Sequence, residues 1–134
     1  MALTLGYRFR NEALLTRALT HSSYSKPCNE QLEFLGDSVL SLVTAESMFR
    51  LFPDSAEGVL ASEKANRVNN KRLAELAIKL RLGYHLILGR SEECSNGRTK
   101  PSILADALEA LIGAIYLDGG IEAARDFIIK LYKL

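Results

Sequence analysis

Apolar residues in this chain recur at intervals of three and four, and no long stretch alternates apolar with polar. That period lines one face of a helix and cannot line one face of a strand, so it predicts an all-α fold. Asn11 is placed to cap a first helix carrying Leu14, Leu15, Ala18 and Leu19. After a polar break containing Pro27, an apolar segment runs from Glu30 to Phe52, where Pro53 stops it. Its Val39-Leu40-Ser41-Leu42-Val43 stretch has strand propensity, but the length of the segment favours helix. Further helices are expected from Asp54-Ser55-Ala56 through Ala65, and from Lys71 to Leu82 with Gly83 as C-terminal cap. Ser102 is expected to cap a helix reaching Leu117, and a last one spans Ile121 to Tyr132. Residues 89–101 read as loop, and Asp118-Gly119-Gly120 as the break between the final two helices. With no internal repeat and no linker, the six or seven helices of this 134-residue chain make one domain over 1–134.

Hydrophobic residues make up 48% of the chain, with only three prolines and nine glycines, which excludes a disordered or low-complexity segment. Cys28 and Cys94 are too few for a disulfide scaffold and lack metal-ligand spacing, which fits a reducing compartment. The N-terminus has no apolar core of a signal peptide, and no apolar run approaches the ~18 residues that span a bilayer. A soluble, cytoplasmic protein with no membrane partner is expected. The 17 basic and 16 acidic residues leave a net charge of +1, and such totals favour neither a nucleic-acid nor an acidic partner.

The distribution of the acids is more informative than their number. Glu30, Glu33 and Asp37 stand at i, i+3 and i+7, a narrow stripe on one helix face at about 100° per residue. Leu32, Phe34 and Leu35 fill most of the positions between them, and no base occurs between Lys26 and Arg50. A solvated acidic face would interleave bases at i+4; carboxylates without them repel one another and are costly to desolvate unless a cation neutralises them. A second pair, Asp106 and Glu109, lies in Ile103-Leu104-Ala105-Asp106-Ala107-Leu108-Glu109-Ala110-Leu111-Ile112-Gly113, where every other residue is apolar or glycine. Gly113 continues that stripe and lets another helix approach closely. The acidic pair alone is an ordinary helix feature, and the triple stripe with no compensating base is a stronger signal. Two such stripes in apolar helices of one small domain supply the hard oxygen ligands that Mg²⁺ requires.

The segment Asn29-Glu30-Gln31-Leu32-Glu33-Phe34-Leu35-Gly36-Asp37-Ser38-Val39-Leu40 closely resembles the signature of the ribonuclease III family. Ala18-Leu19-Thr20-His21-Ser22-Ser23-Tyr24 resembles the family's N-terminal motif, the stretch from Gly97 to Ala110 its second acidic block, and Tyr116-Leu117-Asp118-Gly119-Gly120 its usual ending. The resemblance implies an all-α homodimeric endonuclease domain that cuts double-stranded RNA with Mg²⁺, for which Mn²⁺ can substitute. The products would carry 5′-phosphate and 3′-hydroxyl ends, and the setting would be rRNA and mRNA processing. By motif match, Glu33, Asp37, Asp106 and Glu109 would be the metal-site carboxylates, with Asp37 and Glu109 the catalytic pair. Glu30 and Glu57 match two further acidic positions of the family's valley, and Phe34 matches an aromatic that inserts into the partner subunit. Glu33, Asp106 and Glu109 would hold one ion, while Asp37 and Glu109 would orient water or share a second. His21 is expected to be a hydrogen-bonded structural residue rather than a base.

RNA contact is expected through phosphates and 2′-hydroxyls, since an A-form duplex hides its base edges. Arg98 and Lys100 are the first candidates and Arg90 a further one; Lys64, Arg67, Lys71 and Arg72 form a second basic cluster whose alternative is a solvated helix face. Setting the six valley carboxylates aside leaves ten acids against 17 bases, so the near-neutral total hides a basic body around an acidic groove. Three departures stand out. Gln31 occupies a position where the family commonly has arginine, and Glu63 one where an apolar residue is common. The sequence also ends at Leu134, where most bacterial members continue into a double-stranded-RNA-binding domain; the expectation is a short form or an excised catalytic domain. The alternative function is a noncatalytic dimeric module that binds structured RNA. A plain helical dimerisation domain explains the apolar content but not the acidic stripes.

Overall fold

The computed structural model describes residues 3–134, and among these the regular structure is helical apart from one isolated parallel bridge between Thr20 and Ile87. Six α-helices follow in chain order: α1 (Glu12–Leu19), α2 (Glu30–Leu51), α3 (Glu57–Val68), α4 (Asn70–Lys79), α5 (Arg90–Cys94) and α6 (Pro101–Tyr132). Two 3-10 turns, Leu82–His85 and Gly97–Thr99, flank α5.

The middle of the domain is the first half of α6. From Ile103 to Ile115 every residue except Asp106 is buried, because α1, α2 and α4 pack around it. A helix apolar on all sides has no solvated face to keep, which is why its sequence shows so few polar interruptions. Leu108, Leu111, Ile112 and Ile115 of α6 meet Leu40 and Val43 of α2 and Leu73 and Leu76 of α4 in one core. Alpha3, by contrast, has no buried residue, which accounts for its polar Leu60–Val68 stretch. Glu63 pairs there with Arg67 at 2.8 Å, an i, i+4 contact in place of an apolar one.

Asn11 caps α1 by accepting the Ala13 N–H at 3.0 Å, and Phe52 terminates α2 immediately before Pro53. Gly120 bends α6 with φ 86° and ψ −179°, a conformation open to glycine, so the expected break after Asp118 exists as a kink within one long helix. Asp118 fastens the N-terminal segment to this bend by accepting the Tyr7 hydroxyl at 2.7 Å and the Arg10 and Asn11 N–H groups at 2.8 and 2.9 Å.

Several sequence expectations are corrected. Alpha3 begins and ends about one turn later than expected, stopping where the Asn69 carboxamide caps α4 through the Arg72 N–H at 2.9 Å. Alpha4 ends at Lys79, and Arg81 rather than Gly83 takes the left-handed backbone position, with φ 58°. Gly83 serves another purpose: a Cβ there would lie 2.5 Å from the Arg98 carbonyl oxygen. Residues 89–101 are not a loop, since they hold α5 and the second 3-10 turn. Ser102 is no cap; Lys100 precedes the helix and Pro101 opens it, with the Lys100 carbonyl accepting the Leu104 N–H at 3.0 Å.

Candidate active site

The two acidic stripes meet where α2 crosses α6. Glycine faces backbone on both sides of the crossing: a Cβ at Gly36 would lie 1.7 Å from the Glu109 carbonyl oxygen, and one at Gly113 would lie 2.3 Å from the Leu32 carbonyl oxygen. Only helices free of side chains at these points approach so closely. Glu33 and Asp37, which flank Gly36 on α2, are thereby set against Asp106 and Glu109 on α6.

Glu33, Asp106 and Glu109 each offer one carboxylate oxygen within 4.8 Å of the other two. Glu33 shares a hydrogen bond with Asp106, and Glu109 with Asp37. Glu109 is the most deeply placed of the acids, 8% exposed. The groove above them has a volume of about 390 Å³ and is lined by Glu30, Glu33, Phe34, Asp37 and Glu109. Glu57, exposed at the start of α3, neither joins the cluster nor lines the groove in the single chain.

The electrostatics follow from burial first and crowding second. Burial, followed by the negative charge of Asp106, Glu30 and Asp37, pushes the Glu33 carboxyl up to about 7. Burial, followed by the hydrogen bond and charge of Asp37 and the charges of Glu33 and Asp106, pushes Glu109 up to about 8. Asp106 is also raised, chiefly by burial. No basic side chain forms a salt bridge with these four acids among the described residues. A set of hard oxygen donors, half-buried and mutually repelling, suits a divalent cation and is unstable as anions without one.

Metal-free stability should therefore fall with rising pH. Glu33 and Glu109 hold protons in the folded protein that the unfolded chain gives up near the ordinary carboxylate value of 4.5. The native state binds more protons between there and about 7 to 8, so the stability present at low pH is lost across that window. In EDTA the Tm is expected to drop by about 5 °C or more between about pH 5 and pH 8. A divalent cation should remove most of the drop. A midpoint that is flat or rises across that range in EDTA would contradict the assignment.

The cationic candidates have internal partners. Arg98 donates to both Glu93 oxygens at 2.8 and 2.6 Å and to the Gly83 and Leu86 carbonyls at 3.0 and 2.7 Å. Lys100 Nζ donates to Glu92 at 2.7 Å. These contacts brace the segment that leads into α6, giving both residues a structural task. Arg67 holds Glu63, and Lys64 lies half-buried on α3. Arg90 is exposed. Gln31 Oε1 accepts from Arg17 at 2.6 Å, tying α2 to α1. His21 Nδ1 accepts the Ser23 N–H at 3.1 Å and lies 2.8 Å from the Ser23 hydroxyl, which itself accepts the Gly89 N–H. That is a structural network, although the His21 charge also reaches Asp106 and Glu92. Sequence reasoning missed Gly36 as the counterpart of Gly113; its place three residues after Glu33, within the acidic stripe, was the available signal.

A family model described as "Ribonuclease-III-like" matches residues 11–134. The chain is 52% identical over 129 residues to "Ribonuclease 3" of Nitrosococcus oceani, covering 96% of this chain and 55% of that protein. It thus spans little more than half the length of that relative. Among solved structures it is similar to the nuclease domain of ribonuclease III from Campylobacter jejuni, with a TM-score of 0.94 and 47% identity over 96% of this chain and 91% of that one. The Campylobacter domain has structural flexibility in a region involved in dimer formation. This chain is also similar to Dicer from Pichia stipitis, with a TM-score of 0.72 and 25% identity over 95% of this chain and 56% of the other. No described helix is long and apolar enough to cross a membrane.

Proposed function

The chain belongs to the ribonuclease III family, and from that membership we propose that residues 1–134 form a Mg²⁺-dependent endonuclease domain acting on double-stranded RNA in the cytoplasm. The observation that carries this reading is the convergence of Glu33, Asp106 and Glu109 from two helices within 4.8 Å, with no basic side chain salt-bridged to them among the described residues. Glu33, Asp106 and Glu109 would hold the ion. Mg²⁺ bound there supplies Lewis-acid neutralisation of the phosphate and acidifies water at neutral pH. Asp37, beside Glu109, accepts a proton of the attacking water and aims its lone pair at phosphorus. The P–O3′ bond breaks and the leaving O3′ takes a proton from solvent water, leaving 5′-phosphate and 3′-hydroxyl ends. Glu30 at the rim adds negative potential that draws cations to the groove.

The test is incubation with long duplex RNA, in Mg²⁺ or in EDTA. Short duplex products only with Mg²⁺ are expected. A shifted but uncut band in both would instead favour a noncatalytic RNA-binding module, and no interaction would overturn both readings.

The working unit on this reading is a homodimer. Phe34, Leu42 and Phe49 lie within about 80° of one another around α2 and are 80%, 59% and 71% exposed, an apolar face that a second copy would cover. Phe34→Asp is expected to shift the protein to monomer in sedimentation while leaving the helical signal intact, because so exposed a ring contributes little to the core of one chain. A dimer that persists unchanged would place the interface elsewhere.

A further inference from the structure

The polar break between α1 and α2 ends with Cys28 and Asn29, just before Glu30 opens α2. Cys28 is 7% exposed yet lies outside the main core, so packing among the large apolar side chains does not account for its burial. Its thiol donates to Glu30 Oε1 at 3.2 Å. The backbone that carries the thiol is held from α1. Arg17 Nε donates to the Cys28 carbonyl at 3.1 Å, and Arg17 Nη2 to Gln31 Oε1 at 2.6 Å. Asn29 is fastened as well: its N–H donates to the Thr20 carbonyl at 2.9 Å, and its carboxamide to the Ala18 carbonyl at 3.2 Å. The donor is thus fixed in place before the helix begins.

Glu30 is the residue that gains from this. It is exposed on the first turn of α2, where a carboxylate on a long side chain samples many rotamers in water. It nevertheless lines the acidic groove with Glu33 and Asp37, and its charge reaches Glu33. No salt bridge holds it there among the described residues. We propose that Cys28 is a positioning residue of the candidate active site, its thiol holding the Glu30 carboxylate at the rim of the groove instead of letting it turn away into solvent. This role rests on the reading of the groove as a divalent-cation site. The thiol is neither ligand nor nucleophile in it and acts only through Glu30. Ordering the carboxylate in advance lowers the cost of ordering it when a cation enters. Because a thiol is a weak donor, the contribution is graded rather than absolute.

The test is Mn²⁺ binding to the whole chain without RNA, followed by the paramagnetic resonance signal of the free ion. Cys28→Ala should weaken Mn²⁺ about threefold, the size of one ordinary hydrogen bond. Cys28→Ser, which keeps a donor at the same place, should restore most of that loss. In a Glu30→Ala background, Cys28→Ala should weaken binding no further, since its partner is already gone. Cys28→Val, which keeps the volume and lacks the donor, takes the place of Cys28→Ala if alanine unfolds the protein. Equal affinities of Cys28→Ala and the parent overturn the positioning role. So does a loss that persists in the Glu30→Ala background, or one that serine does not restore. A parent that binds no Mn²⁺ overturns the cation-site reading itself, and the positioning role with it.

Discussion

Glu109→Gln should abolish RNA cleavage while leaving the fold intact. The substitution keeps the shape of a side chain that is 8% exposed and removes only its charge. Glu109 belongs both to the three-carboxylate set and to the hydrogen-bonded pair with Asp37, so one change removes a proposed ion ligand and the partner of the acid proposed to orient water. A loss of about a thousandfold or more in single-turnover cleavage corresponds to about 4 kcal/mol, within what divalent-ion stabilisation of a phosphoryl transition state supplies. Duplex binding at low salt should remain. In EDTA at about pH 8 the variant should melt no lower than the parent, because it no longer buries a group that resists ionisation. Cleavage within about tenfold of the parent in Mg²⁺ would show that another group does this work.

Gly36→Ala should be the most damaging single methyl in the domain. The new Cβ would sit 1.7 Å from the Glu109 carbonyl oxygen, far inside contact distance, and the atom it meets is backbone that no rotamer change can move. Alpha2 and α6 would have to separate along their main contact, opening the core around Leu40, Val43, Leu108 and Ile112. Overpacking of a close-packed interior costs about 1–3 kcal/mol when side chains yield, and the backbone collision puts this variant at or above about 3 kcal/mol. Gly58→Ala is the natural control: nothing lies within 4 Å of a Cβ there, in a helix without buried residues, so it should be neutral or stabilising by up to about 1 kcal/mol. Urea denaturation of the two variants side by side measures both. Equal stabilities would mean that the crossing is looser than its glycines imply.

The contrast between these glycines also explains what the sequence could and could not disclose. The helical period of α1, α2 and α6 was legible because each buries a continuous face, and the α6 segment is apolar on every side. The acids were legible because unpaired charge inside apolar sequence has few other uses. What the sequence did not reveal depends on contacts between distant segments. Gly83 resembled a helix cap, but its missing side chain makes room for the Arg98 carbonyl, 15 residues away. Residues 89–101 looked like loop because Glu92, Glu93, Arg98 and Lys100 show no helical apolar stripe; their order comes from ion pairs with one another. Those same pairs alter the meaning of Arg98 and Lys100, which look like free cations in a sequence and are braces in three dimensions.

The burial of α6 has a consequence for how this domain opens. Segments with few buried contacts unfold locally at a fraction of the global free energy, whereas a helix enclosed on all sides opens only when everything around it does. Alpha3, with no buried residue, belongs to the first kind, and the stretch from Ile103 to Ile115 to the second. Asp106 and Glu109 ride on the part of the chain that comes apart last. As the protein is warmed, the outer helix that carries Lys64 and Arg67 should loosen before α6, while Asp106 and Glu109 keep their mutual spacing until cooperative unfolding of the whole domain.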